Sequence, residues 1–158
     1  MLRGEANQHN DYVYGVHTTK GIIKGVPYPI RSIRDGQYKY IANLLPETKF
    51  QNIVTENDEA GYWGSWKRDA ASNPKAAELI KRYQHRPAEE FYDITQDPFE
   101  TKNLASDPQH RAKMDALKKQ LQAWMKQQGD QGVATEMAAK KKRNTKQQKQ
   151  NGAKKKKA

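Results

Sequence analysis

Four histidines and two arginines are the residues of this 158-residue chain best suited to chemistry. His9, His17, His85 and His110 share no metal-ligand spacing such as i, i+4 on a helix, so no locally built zinc site is read. No glycine-rich phosphate loop follows a strand, and no Gly-x-Ser-x-Gly elbow occurs. The chain has no cysteine, which removes disulfides, Cys-ligated zinc, iron–sulfur clusters and thiol nucleophiles and leaves the compartment open. His17 falls mid-strand beside Thr18, Thr19 and Lys20, with no base or nucleophile nearby in sequence, and reads as a structural histidine. Arg31 and Arg34 offer planar forks of donors that would suit an anion, or else an ordinary salt-bridged strand face. Residue types alone assign no reaction.

The elements that would position these groups belong to one modest domain. Only 35% of residues are hydrophobic and the mean hydropathy is −1.15, so part of the chain is expected to lie outside any core. Apolar runs are too short to span a membrane, and the first residues lack the apolar stretch of a signal peptide. The net charge of +11 is unevenly spread. Residues 130–158 hold ten basic side chains against Asp130 and Glu136, which leaves the body nearly balanced. The Lys-rich stretch from Lys140 to Lys157 has almost nothing to bury, so the sequence predicts a domain over 8–129 and a disordered tail over 130–158. Such a tail attracts nucleic acid or anionic polysaccharide without specificity, unless it only solubilises the domain.

Tyr12–Thr19 is rich in β-branched and aromatic residues and reads as a strand. Gly21, Gly25, Pro27 and Pro29 then mark a loop. Two further strands flank Asp35-Gly36, which reads as a two-residue type I′ turn placing Arg34 opposite Gln37, Ser32 opposite Lys39 and Ile30 opposite Ile41. An irregular helix is predicted over 55–71, and a second after Ser72 or Asn73 with Pro74 at its first position. Glu90–Ile94 alternates as a short strand. The last helix starts at Asp107-Pro108, carries a stripe of Met114, Leu117, Leu121, Trp124 and Met125, and ends at Gly129. The sum is an α+β fold: a small antiparallel sheet with a long C-terminal helix packed on one face.

Several segments carry a family resemblance. Tyr28-Pro29-Ile30-Arg31-Ser32-Ile33-Arg34-Asp35-Gly36-Gln37-Tyr38-Lys39-Tyr40-Ile41 resembles the hairpin of sulfatase C-terminal subdomains. Glu90-Phe91-Tyr92-Asp93-Ile94, followed by Asp97-Pro98-Phe99-Glu100 and Asn103-Leu104-Ala105, is similar to their E-L-Y-D-L…D-P-x-E…N-L-A signature. Gly15–Ile22 and the Tyr-Pro-Ile-Arg junction resemble the heparan N-sulfatase branch. The likeness covers roughly residues 8–136.

The resemblance implies a hydrolase of sulfuric esters or sulfamates in the alkaline-phosphatase-like superfamily. Its cofactors would be a formylglycine, made within a Cys/Ser-x-Pro-x-Arg motif, and a Ca²⁺ ion, both in an N-terminal catalytic domain. Ser72-Asn73-Pro74 and Ser106-Asp107-Pro108 lack the final arginine and read as helix caps. The chain is therefore expected to be a C-terminal portion, inactive alone, whose partner is the catalytic domain and whose complete enzyme takes a sulfated glycan. Complete members of the family are usually exported. By the resemblance, His17, Lys20 and Arg31 are candidates for the rim of the substrate pocket, or supports of the seam between domains. Tyr12, Tyr14, Tyr28, Tyr62, Trp63 and Trp66 are expected to supply an exposed docking patch. The competing reading is a basic binding module that works through the Lys-rich tail.

Overall fold

The computed structural model of the chain describes residues 10–19, 26–53, 55 and 61–138. Lys20, Gly21, Gly25, residues 56–60 of the expected first helix and residues 139–158 of the tail lie outside the described residues. Four strands, β1 (Val13–His17), β2 (Ile30–Arg34), β3 (Tyr38–Asn43) and β4 (Glu89–Asp93), form one antiparallel sheet in sequence order. Helices α1 (Tyr62–Asp69) and α2 (Pro74–Gln84) lie between β3 and β4. After β4, a 3₁₀ turn (Pro108–His110) runs into α3 (Arg111–Gln127), and a short helix α4 occupies 133–138. The α+β arrangement is the one the sequence predicts.

Local chemistry sets the element ends. Asn73 caps α2 by accepting the Ala76 N–H at 3.2 Å, and Pro74 takes the first helical position. Asp107 accepts the Gln109 N–H at 2.9 Å and so starts the 3₁₀ turn, with Pro108 behind it. Gly129 closes the long helix with φ +69°, a conformation a Cβ would disfavour. Both Ser-x-Pro sequences are therefore helix starts.

The core lies between the sheet and α3, which crosses β2 and β3. Ile33, Tyr40 and Phe91 stand opposite one another across three strands and turn to one face. Met114, Leu117 and Leu121, each 1% exposed, fill that face from the helix. Burying each such side chain contributes about 1.5–3 kcal/mol. Tyr14 stacks on Trp124 with centroids 4.6 Å apart, which pins β1 to the C-terminal part of α3. No helix among the described residues is long and apolar enough to cross a membrane.

Three expectations need correction. The hairpin turns at Gly36-Gln37, closed by the Asp35 N–H on the Tyr38 carbonyl at 3.0 Å, and neither Asp35 nor Gly36 has positive φ. Arg34 pairs Lys39 and Ser32 pairs Ile41, a two-residue displacement of the expected register. An even displacement keeps every side chain on its face, so the core is unchanged. The Asp35 carboxylate decides the outcome: it accepts the N–H groups of Gln37 and Tyr38 at 2.8 and 2.7 Å and pairs with Lys113 at 2.8 Å. Asp is favoured at the first position of a turn for this reason.

The second correction concerns the domain edge. Residues 130–138, assigned to the tail by composition, are structured, with Gly132 and Glu136 buried. The third concerns the aromatics, which do not form one exposed patch. Tyr28 and Trp63 are buried, Tyr12 and Tyr14 half-buried, and only Tyr62 and Trp66 are exposed. The face of the sheet away from α3 has its own aromatic packing. Tyr28 meets Phe50 edge-on at 5.1 Å, Phe50 meets Tyr83 at 5.2 Å, and Tyr83 meets Trp63 at 5.2 Å.

Candidate functional site

His17 and Arg31 meet where β1 ends and β2 begins. His17 pairs Ile30 across the ladder and Arg31 pairs Val16, so their side chains leave opposite faces of the sheet. Each lies in its own polar cluster.

Arg31 is 2% exposed, and all five of its donors are engaged. Its Nε and Nη2 donate to the Asp130 carboxylate at 2.5 and 3.3 Å, and Nη2 also donates to Glu136 at 3.0 Å. Nη1 donates to the carbonyls of His17 and Ile30 at 3.4 and 3.0 Å. The Thr18 hydroxyl donates to the other Glu136 oxygen at 2.7 Å. The Arg31 hydrogen bond holds the Asp130 carboxyl below the usual range despite its partial burial. This triad fastens residues 130–138 to the end of β1. It leaves Arg31 no free donor for a ligand.

On the opposite face His17 lies beside Phe50, with ring centroids 5.6 Å apart. Tyr28 and the Arg86 guanidinium flank the same Phe50 ring, at 5.1 and 5.8 Å. Burial lowers the His17 pKa, the Arg86 charge lowers it further, and Glu136 only partly opposes them, so the imidazole is neutral at pH 7. Arg86 pairs with Glu90 through Nε and Nη2 at 2.8 and 3.1 Å. Glu90, 5% exposed, also accepts from the Tyr92 hydroxyl and from Asn43 Nδ2, both at 2.6 Å. Burial works against the Glu90 charge, but Arg86, Tyr92 and Asn43 outweigh it and hold the pKa down. Three buried polar atoms near this corner, His17 Nε2, Tyr28 Oη and Asn43 Oδ1, have no hydrogen-bond partner among the described residues. Leaving such a group unpaired costs about 1–3 kcal/mol.

These shifts give the corner a pH signature. His17, Asp130 and Glu90 all have folded pKa values below their unfolded ones, so the unfolded state binds more protons as pH falls. Their stabilisation is complete above the unfolded values and is lost as pH falls through the folded ones. Urea midpoints are therefore expected to hold above about pH 7, decline gently below about 6.5 as His17 begins to resist protonation, and drop steeply below about 4.5. His17→Gln should abolish the gentle decline and keep the steep one. A midpoint that rises on acidification would contradict the burial of all three groups.

The signature near β4 builds structure. Asp93 accepts the N–H groups of Thr95 and Gln96 and the Thr95 hydroxyl, and Thr95 and Gln37 bring its pKa down to about 2. Asp97 accepts the Thr101 hydroxyl and the Lys102 N–H. Asn103 accepts the N–H groups of Phe91 and Ala105 and donates to the Glu89 carbonyl, closing the edge of β4. Among the described residues no group of three or more histidines and carboxylates could hold a metal ion.

Arg31 and His17 are thus close across the β1–β2 ladder but on separate faces, and Lys20 lies outside the described residues. Sequence reasoning missed Asp130, Glu136 and Arg86. Asp130 and Glu136 carried one signal: they are the only two acids in a stretch of ten bases.

No protein-family model matches the chain. An ulvan-active sulfatase of Formosa agariphila is 36% identical over 130 residues, which is 82% of this chain and 24% of that protein. A second ulvan-active sulfatase of the same organism is 32% identical, over 64% of this chain and 17% of its own length. The human N-sulphoglucosamine sulphohydrolase is 28% identical, over 61% of this chain and 20% of its own length. The chain spans about a quarter or less of the curated relatives it matches.

Proposed function

Because the chain is related to sulfatases over most of its length, we propose that it is the C-terminal portion of such an enzyme. In this reading it packs on a catalytic domain and lends residues to the rim of a pocket for a sulfated glycan. The observation that carries the proposal is a ratio: 82% of this chain aligns with only 24% of one sulfatase. The sequence also has no Cys/Ser-x-Pro-x-Arg motif, and its two Ser-x-Pro stretches start helices. A nucleophile and its Ca²⁺ would then be supplied by the partner. The nucleophile would accept the sulfuryl group as the sugar oxygen or nitrogen departs, and the ion would neutralise charge on the sulfuryl oxygens.

His17 and Lys20 would stand at the rim, the first as a neutral hydrogen-bonding imidazole and the second as a cation. Arg31, at the same strand end, would hold that rim in place through Asp130 and Glu136. The test is turnover by the purified chain on sulfate esters and sulfamates. Sulfate release is expected to equal the buffer control, with or without Ca²⁺. Turnover that survives repurification would contradict the proposal.

A further inference from the structure

The two edges of the sheet are finished differently. At β4, Asn103 and Leu104 cover the outer main chain: Asn103 accepts the Phe91 N–H at 2.9 Å, and the Leu104 N–H donates to the Phe91 carbonyl at 2.8 Å. At β1 the outward main-chain groups have no such strap among the described residues. Val13 and Val16, on opposite faces of β1, are each 57% exposed. The strand, Val-Tyr-Gly-Val-His, carries no lysine and no proline, and it pairs with β2 without a bulge. Those are the devices that normally guard an edge against pairing. The template is also rigid, since Tyr14 is stacked on Trp124 and the Arg31 triad holds the carbonyl of His17.

We propose that β1 receives a fifth strand from the sulfatase catalytic portion, extending the sheet across the seam between the two parts. The inference rests on the reading above. It favours that occupant because the matched relatives are at least four times longer than the segment this chain covers. Main-chain hydrogen bonds would supply the affinity, and Val13 and Val16 would each meet a side chain of the added strand. The added strand would pass beside His17, fixing the distance between this corner and the catalytic portion.

The test is amide hydrogen exchange on the full chain, alone and co-expressed with the unmatched portion of the 36%-identical ulvan-active sulfatase. The amides of residues 13–17 that β2 leaves unpaired should exchange rapidly in the free chain. In the complex they should slow at least about tenfold, which is equivalent to 1.4 kcal/mol. Val16→Lys should weaken docking by a similar factor, and Leu79→Lys, at another exposed apolar position, should not. A complex that forms without protecting these amides would overturn the shared sheet and leave the sulfatase reading standing. Protection that grows with concentration of the chain alone would assign the edge to a second copy and overturn the proposal. Absence of any complex would overturn both readings.

Discussion

Ending the chain at Gly129 is expected to cost about 3–5 kcal/mol, the penalty for stranding a buried charge when its partners are removed. Ending it at residue 138 should change stability by less than about 0.5 kcal/mol. The first cut deletes Asp130 and Glu136, both carboxylates that pair with the Arg31 guanidinium (2% exposed in the intact chain), and leaves it only two carbonyls. A loss of that size is a large share of the roughly 5–15 kcal/mol that holds a typical domain together. Asp130→Asn combined with Glu136→Gln should reproduce most of the loss while keeping the chain length. Urea unfolding of the three proteins measures it, and equal midpoints would mean that the triad does not hold 130–138 to the sheet. The competing reading, a basic module working through its tail, must accordingly be tested by removing 139–158. Removing everything from 130 would confuse lost binding with lost folding.

Leu121→Ala is expected to cost about 2–5 kcal/mol, through lost burial and the cavity left behind. Leu121 is 1% exposed and shares the core with Leu117, Ile33, Tyr40 and Phe91, where α3 crosses β2 and β3. Gln122→Ala, on the exposed side of the same turn, should change stability by less than about 0.5 kcal/mol. A Leu121→Ala loss equally small would mean that α3 is not docked on Ile33, Tyr40 and Phe91.

Local chemistry made much of this fold legible. Pro74 behind Asn73 and Pro108 behind Asp107 mark helix starts that depend only on neighbouring residues. The stripe from Met114 to Leu121 names the buried side of α3 by its spacing alone. The hairpin was legible in its faces and misread in its register. Asp-Gly suits a type I′ turn, but an Asp carboxylate that captures two N–H groups and a lysine from α3 moves the turn by one residue. Lys113 is remote in sequence, and no local rule reports it.

The corner was less legible for the same reason. Arg31 reads as an anion receptor while its partners, Asp130 and Glu136, lie 99 and 105 residues away. Composition assigned both acids to a disordered tail. Tyr28 and Trp63 were expected on the surface because the aromatic packing through Phe50 and Tyr83 joins segments far apart in sequence. Burial on the second face of a sheet is a tertiary fact, and an alternating strand pattern does not report it.

Turnover by a reassembled enzyme tests the central claim most directly. The chain, the catalytic portion of a matching sulfatase and the two co-expressed would each be assayed for sulfate release from a sulfated glycan. The co-expressed pair is expected to hydrolyse it and to lose activity when this chain is dissociated, with the chain alone inert. A catalytic portion equally active with and without this chain would contradict the claim that the chain completes the enzyme.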